Sequence, residues 1–555
     1  MAPLRERVLS RRQIESLIAE GRKIFILGGH VIKADAWLPY HPGGHKAILH
    51  MVGRDGTDEI RALHSMAAQQ RMQTFVIGKI EGRWTNFVPP IQGGIFRPYD
   101  GEEDEIQDEG SSSNSSSAPS TPIFDPVDVD RVGIRKRRAS EETPISSNSS
   151  ISSLETEDLS SRQNAIDSHA ISELSQDKTN YPSLDFQTQD KIVQKYRALD
   201  ARIRAEGLYK CPYTAYLFEI TRYSILFLSF LALLRTGHYY LSAACLGFFW
   251  HQLVFTAHDA GHMGITHSFH VDTCIGILIA DFLGGLSIGW WKRNHNVHHI
   301  VTNSPEHDPD IEHMPFLAIS HRFFASLRST YYERVMDFDA VARWAVKYQN
   351  WLYYPLLTLG RFNLYRLSWS HLIFYPGPYK GPAHLHRHLE IIGNIFFWFW
   401  FGYLTLYLSI PSTLDQILFV LISHAITSPL HVQITLSHFA MSTTDLGPHE
   451  SFPQKMLRTT MDVECPPFLD FLHGGLQFQA IHHLYPRVPR HNLRRCQVLV
   501  QEFCDEVGIP YAKYGFVEGN SRVLGRLGQI ARLARCWDEC RKVAAEREVR
   551  ELIGA

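Results

Sequence analysis

A chain of 555 residues is too long for one ordinary domain, and about three units is the expectation. The formal net charge of −2 offers no basic surplus for nucleic acid, and the 8 cysteines are scattered with no CxxC pair, so neither a zinc ribbon nor a disulfide framework is indicated. A mean hydropathy of −0.16 averages very polar stretches with very apolar ones. The opening MAPLRERVLSRRQIESL has no apolar run behind its charges, so no cleaved leader is expected and residue 1 should lie in the cytosol.

Residues 1–90 read as a small soluble α+β domain. Ser10 and Gln13 have the spacing of a capping box, and Ile14, Leu17 and Ile18 share one face of the helix that follows. Short strands over 23–27 and 30–33 lead to WLPYHPGGHKAI. Pro42, Gly43 and Gly44 favour a tight turn and let a bulky planar ligand approach the backbone. His41 sits at the rim of that turn, and His64 follows after a helical segment. Two imidazoles on opposite faces of a haem make a six-coordinate iron with no open position, which suits electron transfer rather than oxygen binding. The stretch EGRKIFILGGHVIKADAWLPYHPGG, with the later ALHS, resembles cytochrome b5 over essentially all of 1–90. The resemblance implies haem b with His41 and His64 as axial ligands; His45, in the same turn, is a spare candidate.

Residues 91–180 change character: EEDEIQDE is acidic, SSSNSSS is low in complexity, and aromatics are few. Such a segment buries too little apolar surface to offset its ordering entropy. A disordered linker is expected, acting as a tether for the haem domain, with RKRRAS at 135–140 read as a solvated charge run first and as a basic phosphorylation site at Ser140 second. An all-α membrane domain is expected over 181–520, entered through a charged amphipathic helix. Its four spans, 216–234, 239–257, 391–410 and 414–437, each approach the ~20 apolar residues that cross about 30 Å of hydrocarbon. RTGH (235–238) and PST (411–413) divide them into two helical hairpins, and Glu219 and Arg222 should sit at the membrane interface. Basic residues concentrate outside the hairpins, on the side of the N-terminus. ILIADFLGGLSIGWW (277–291) carries Asp281 and several glycines and reads as a re-entrant or interfacial helix, as does 348–365. The tail, 521–555, reads as an amphipathic helix that is solvated or lies on the membrane.

Three histidine clusters stand beside these spans: HDAGH with His258 and His262, HNVHH with His295, His298 and His299, and QAIHH with Gln479, His482 and His483. Residues three and four apart are neighbours on a helix surface, so each cluster aims several rings at one point. Seven histidines without a cysteine favour a metal that accepts nitrogen, such as Fe, Zn or Cu. From a cytosolic start, each hairpin returns the chain to the cytosol, at His258 and at His438, so all three clusters belong to one cytosolic cap. In NSPEHDPDIEHMP, Asp308, Asp310, His307 and His313 are candidates to orient ligating rings. The polar region 440–475 is a candidate for part of a substrate-head-group surface.

The clusters in their membrane setting resemble the membrane fatty-acyl desaturase superfamily. Gln479 in the third cluster, together with the N-terminal cytochrome b5 unit, resembles its front-end branch. HDAGH, WWKRNHNVHHIVTNSPEHDPDIEH and GGLQFQAIHHLYPRVPRHNLRR are similar to fungal sphingolipid Δ8-desaturases. This resemblance implies two non-haem iron ions held by His258, His262, His295, His298, His299, His482 and His483, with His438 as an additional ligand and Gln479 in contact directly or through water. It implies O2 as co-substrate, a ceramide-type sphingolipid in the membrane as substrate, and NADH-cytochrome b5 reductase as electron donor. The setting would be the endoplasmic reticulum, with both termini and the histidine clusters cytosolic. Removing hydrogens from an unactivated methylene pair needs an oxidant that side chains lack and that iron with O2 supplies. Fusing the one-electron shuttle to the catalyst raises its local concentration to roughly mM. The expected activity is Δ8 desaturation of the long-chain base. An acyl-lipid Δ5/Δ6 front-end desaturase, a lipid hydroxylase and a non-enzymatic membrane haem carrier are the alternatives. The absence of HExxH argues against a zinc hydrolase.

Overall fold

The structure, a computed structural model, describes residues 4–87, 95–96, 124–125, 153–375, 377–378 and 380–553. Ser140 lies outside the described residues. The N-terminal unit holds β1 (Val8–Leu9), α1 (Arg11–Ala19), β2 (Ile24–Leu27), β3 (His30–Lys33), α2 (His45–Leu49), α3 (Thr57–Leu63), α4 (Met66–Met72) and β4 (Val76–Ile80). Its sheet runs β1-β4-β3-β2, parallel only between β1 and β4. The capping box forms in both directions, Ser10 Oγ accepting from Gln13 N–H and Gln13 Oε1 from Ser10 N–H at 3.0 Å. Gly44, at φ 87°, precedes α2 in a conformation that a side chain would resist.

The expected linker is corrected at its C-terminal end. A long helix, α5 (Ser153–Asn180), ends it and leads to α6 (Phe186–Ala205). Its partners come from far along the chain: Asp177 meets Arg458, and Glu173 meets Arg526. Composition within 91–180 carries no trace of those distant partners.

The membrane domain opens with α7 (Tyr213–Arg235) and α8 (Tyr239–Gly261), antiparallel across a short turn. Among the described residues three helices are long and apolar enough to cross a membrane: α7, Ala383–Leu408 and Thr413–Phe439. The expected span 239–257 forms as α8, but it is less apolar than these three. Trp250, His251 and Gln252 interrupt its apolar run, and all three are buried. Enclosed by α7 and the Thr413–Phe439 span, α8 meets protein where its neighbours meet lipid. Conversely, Leu217, Phe218, Ile220, Ile225 and Leu228 of α7 point outward, as lipid-facing residues do. Protein partners hold Glu219 and Arg222. Glu219 is buried on Arg490 and His491, and Arg222 donates to Gln252 at 2.8 Å.

The stretch 277–291 does turn back: α9 (Phe269–Ile277) and a π-helical turn meet α10 (Ile288–Val301) at 117°. Buried Asp281 braces the bend, accepting from Ile288 N–H at 3.3 Å and from Asn394 at 2.7 Å. α11 (Ala340–Lys347), α12 (Gln349–Thr358) and α13 (Gly360–Phe374) follow, with Trp344, Trp351 and Phe374 outward. The last two spans are α14 (Pro382–Phe397) with its π-helical continuation to Leu408, and α15 (Thr413–Ala425) with α16 (Ser428–Phe439). A polar cap closes the domain: α17 (Phe452–Thr459), α18 (Asp470–His473), α19 (Gln479–Leu484) and α20 (Leu493–Val507). The final helix, α21 (Phe516–Ile553), is corrected from solvated or membrane-bound to docked. It buries Val523, Leu527, Ile530 and Ala534, and packs on α5, α11, α12 and α16.

Candidate metal centre

Four helix segments bring the histidines to one place. His258 and His262 close α8, His295, His298 and His299 lie on α10, His438 ends α16, and His482 and His483 end α19. The bend before α10 makes this possible, because a straight span would carry HNVHH to the opposite side of the bundle. Two groups form: His258, His262, His295 and His482, and His298, His438 and His483, with the candidate ligand atoms of each group within 4.8 Å of one another. His299 stands between them, its ring 4.8 Å from His482 and 4.3 Å from His483. Gln479 is buried one turn before His482 and His483, at the start of α19.

The ring nitrogens divide cleanly by partner. His298 Nδ1 sits 2.9 and 2.8 Å from the two oxygens of Asp308, and His295 Nδ1 is 3.2 Å from Asp310. Asp308 is itself fixed by the N–H groups of Asn303 at 2.7 Å and Asp310 at 2.9 Å. His307 and His313 do not join this set: His307 faces Thr330 and His313 packs on Phe439. On the inward side, His262 Nε2, His299 Nδ1, His438 Nδ1, His482 Nε2 and His483 Nε2 are buried without a hydrogen-bond partner. Leaving so many buried polar atoms unpaired is costly, and a metal that takes imidazole nitrogen satisfies them. Burial holds His482 and His483 well below the ordinary imidazole range, so both rings are neutral and fit to ligate. At His298 burial works against the charged ring, but Asp308 and Asp310 outweigh it and push the group up to about 9.

Sequence reasoning missed three supports. Trp291 stacks on His295 at 4.5 Å and walls His258 and His262 at 5.3 Å. Asn303, at φ 57°, ties the loop after α10 to the His438 carbonyl at 2.8 Å. Arg490 binds Asp259 and Glu219, locking α8 and α7 to the cap beside His258. The placement of Asp259 between the two histidines of HDAGH was the available signal for that last contact.

In the N-terminal unit His41 and His64 face each other, ring centroids 5.9 Å apart. Each gives Nδ1 to a backbone carbonyl, His41 to Gly44 at 2.8 Å and His64 to Ile60 at 3.2 Å, which leaves Nε2 free on both. Burial lowers both groups, His64 to about 3, so the rings are neutral. His45 lies instead on Tyr375, ring centroids 6.2 Å apart. The His41–His64 pair therefore fits a planar macrocycle with an axial ligand on each face.

The two centres share α10. Asn296 donates to the Gly43 carbonyl at 3.4 Å. Val297, Ile300 and Val301 join one apolar cluster with Phe25, Ile32, Ala47, Ile48 and Met51. Lys46–Glu333 and Asp58–Arg197 pairs flank the contact.

Comparison with known proteins accounts for both halves. Residues 237–515 match the pattern of "Fatty acid desaturase", and residues 10–81 that of "Cytochrome b5-like Heme/Steroid binding domain". A "Delta 8-(E)-sphingolipid desaturase" of Emericella nidulans is 59% identical over 545 residues, 98% of each chain. The chain belongs to the fatty acid desaturase family. It is a membrane oxidoreductase acting on lipid, with a cytochrome b5-like unit fused in front. A second "Delta 8-(E)-sphingolipid desaturase", of Kluyveromyces lactis, is 48% identical over 97% of this chain and 95% of its own. A "Delta(8)-fatty-acid desaturase" of Helianthus annuus is 36% identical over 64% of this chain and 77% of its own.

Proposed function

We propose that this enzyme introduces the Δ8-(E) double bond into the long-chain base of ceramide-type sphingolipids, using O2 and electrons passed through its own haem unit. The observation that carries the reading is the convergence of seven histidines in two groups with His299 between them, five of the eight with buried, unpartnered nitrogens. The names of the relatives that match from end to end supply the substrate and the geometry of the bond.

In this reading His258, His262, His295 and His482 hold one iron, and His298, His438 and His483 the other. His299 stands between them, and Gln479 contacts the site directly or through water. The iron pair, when bound, supplies the oxidising power that abstracts hydrogens from unactivated methylenes. The chain's own residues do the rest. Asp308 and Asp310 hold the Nδ1 protons of His298 and His295 and aim the opposite nitrogens inward. Trp291 and the buried cap keep bulk water from the rings. His41 and His64 hold haem b, and the Gly43–Asn296 contact brings that unit onto the helix that bears His295. A reductase of the NADH-cytochrome b5 type delivers the electrons at a cytosolic face of the endoplasmic reticulum.

Expression in a host that lacks Δ8-unsaturated bases tests this, with bond positions read by mass spectrometry. A Δ8 bond in the long-chain base supports it. A new bond in the acyl chain would favour the front-end acyl-lipid reading, a new hydroxyl the hydroxylase reading, and no product with haem iron alone the electron carrier.

A further inference from the structure

A second ligand set lies away from both centres. His169 and Glu173 stand at i and i+4 on α5, and His321 opens the 3-10 turn His321–Ala325 that faces them. One candidate ligand atom from each residue lies within 4.8 Å of the other two. His169 Nε2 and His321 Nδ1 are both buried without a hydrogen-bond partner. We infer that His169, Glu173 and His321 form a separate site for a divalent transition-metal ion, which clamps α5 to the body of the membrane domain.

The chemistry of the donors supports the assignment. Two imidazoles and a carboxylate suit zinc and its neighbours in the first transition row, and three protein ligands plus a water complete a tetrahedron. The helix supplies two donors on one face for no extra ordering of the backbone. Glu173 is already oriented. Arg526 on α21 takes Oε1, while Oε2 lies 3.8 Å from His169 Nε2. A carboxylate held this way by an outer partner is a familiar support for a metal ligand. Burial, then Arg526 and His321, hold His169 down at about 4, so its ring is neutral. Metal–nitrogen bonds of about 2.0–2.1 Å require the three side chains to draw together by roughly 1 Å on binding. His169 and Glu173 keep 11% and 18% of their side chains exposed, which leaves a path for the ion.

The position gives the site a consequence. α5 is where the segment between the haem unit and the membrane domain becomes anchored, and Asp177 near its end binds Arg458 beside Ser442. Pinning His169 to His321 therefore fixes the chain at its entry to the membrane domain.

The test uses the full-length protein in detergent, loaded with haem and iron, and titrated with Zn2+ alone. The unmodified protein should take up one more zinc per chain than a His169→Gln/His321→Gln variant, at unchanged iron content and haem spectrum. Glu173→Gln should weaken that zinc at least 10-fold. Hydrogen exchange in the unmodified protein supplies a readout independent of any variant: Zn2+ should slow exchange around 166–175 and 320–325. Equal zinc content in parent and double variant, or exchange indifferent to Zn2+, would overturn the assignment.

Discussion

Asp308→Asn is the most informative single change at the proposed iron centre. Asp308 is fully buried, takes both its oxygens to His298 Nδ1, and accepts from two backbone N–H groups. An asparagine keeps the shape, but its NH2 must face one of those donors or the ring itself. The charge that lifts His298 from 6.5 to about 9 is also lost in large part. A ring polarised by a carboxylate donates more strongly to a metal as well as to a proton. Losing such a partner typically costs about 10–100-fold in metal affinity or activity, or about 1.4–2.7 kcal/mol. The loss should fall on the His298–His438–His483 group and spare the His258–His262–His295–His482 group. Non-haem iron should therefore fall from two toward one per chain, with turnover reduced at least 10-fold and the haem spectrum unchanged. Iron analysis, visible spectroscopy and product formation by mass spectrometry read all three. A fully active Asp308→Asn enzyme with two irons would refute the role given to this carboxylate.

Four further outcomes are expected. His41→Ala should abolish turnover with the native electron chain while non-haem iron stays bound. His298→Ala should also abolish turnover, but by disturbing the iron while sparing the haem band; an active His298→Ala enzyme would count against ligation. Arg197→Glu breaks a two-point pair with Asp58, at 2.8 and 3.0 Å. With Arg197 partly exposed the cost to docking is about 1 kcal/mol, so reoxidation of the reduced haem should slow roughly fivefold, and Asp58→Arg added to it should restore the rate. Gly261→Ala would bring a Cβ to 2.1 Å from the Trp291 ring; overpacking of this kind costs about 1–3 kcal/mol. A lowered melting midpoint together with a perturbed iron site is expected, and an unshifted midpoint would show that Trp291 can move aside without cost.

What could be read along the chain was whatever depends on neighbours in sequence. The capping box at Ser10, the HPGG turn and the i, i+3, i+4 histidines are short-range patterns, and each took the local form expected of it. The bend before α10 was legible because Asp281 and the glycines make a lipid-exposed crossing costly there. What escaped depends on partners that lie hundreds of residues away. Nothing beside Glu219 in the chain announces Arg490, and nothing within α8 announces the helices that enclose it. The end of the linker looks disordered until α21 and Arg458 supply what its composition lacks. In the tail, burial of Val523, Leu527 and Ile530 follows the same rule, since an amphipathic stripe does not say whether lipid, water or protein will cover it.

The double duty of α10 accounts for how a separate haem unit and a demanding reaction are aligned. At about 100° per residue, His295, His298 and His299 fall on one side of the helix, and Arg293, Asn296, Val297 and Ile300 on the other. The first side faces the other histidines; the second meets the HPGG turn and the apolar face of the haem unit. One helix, about 10–12 Å across with its side chains, therefore lies between the two centres. Alignment of the haem unit comes from the α10 surface it rests on. That surface is rigid for a separate reason: the same helix is pinned from the opposite side by Asp308 and Asp310. Docking accuracy and ligand geometry thus depend on one set of contacts.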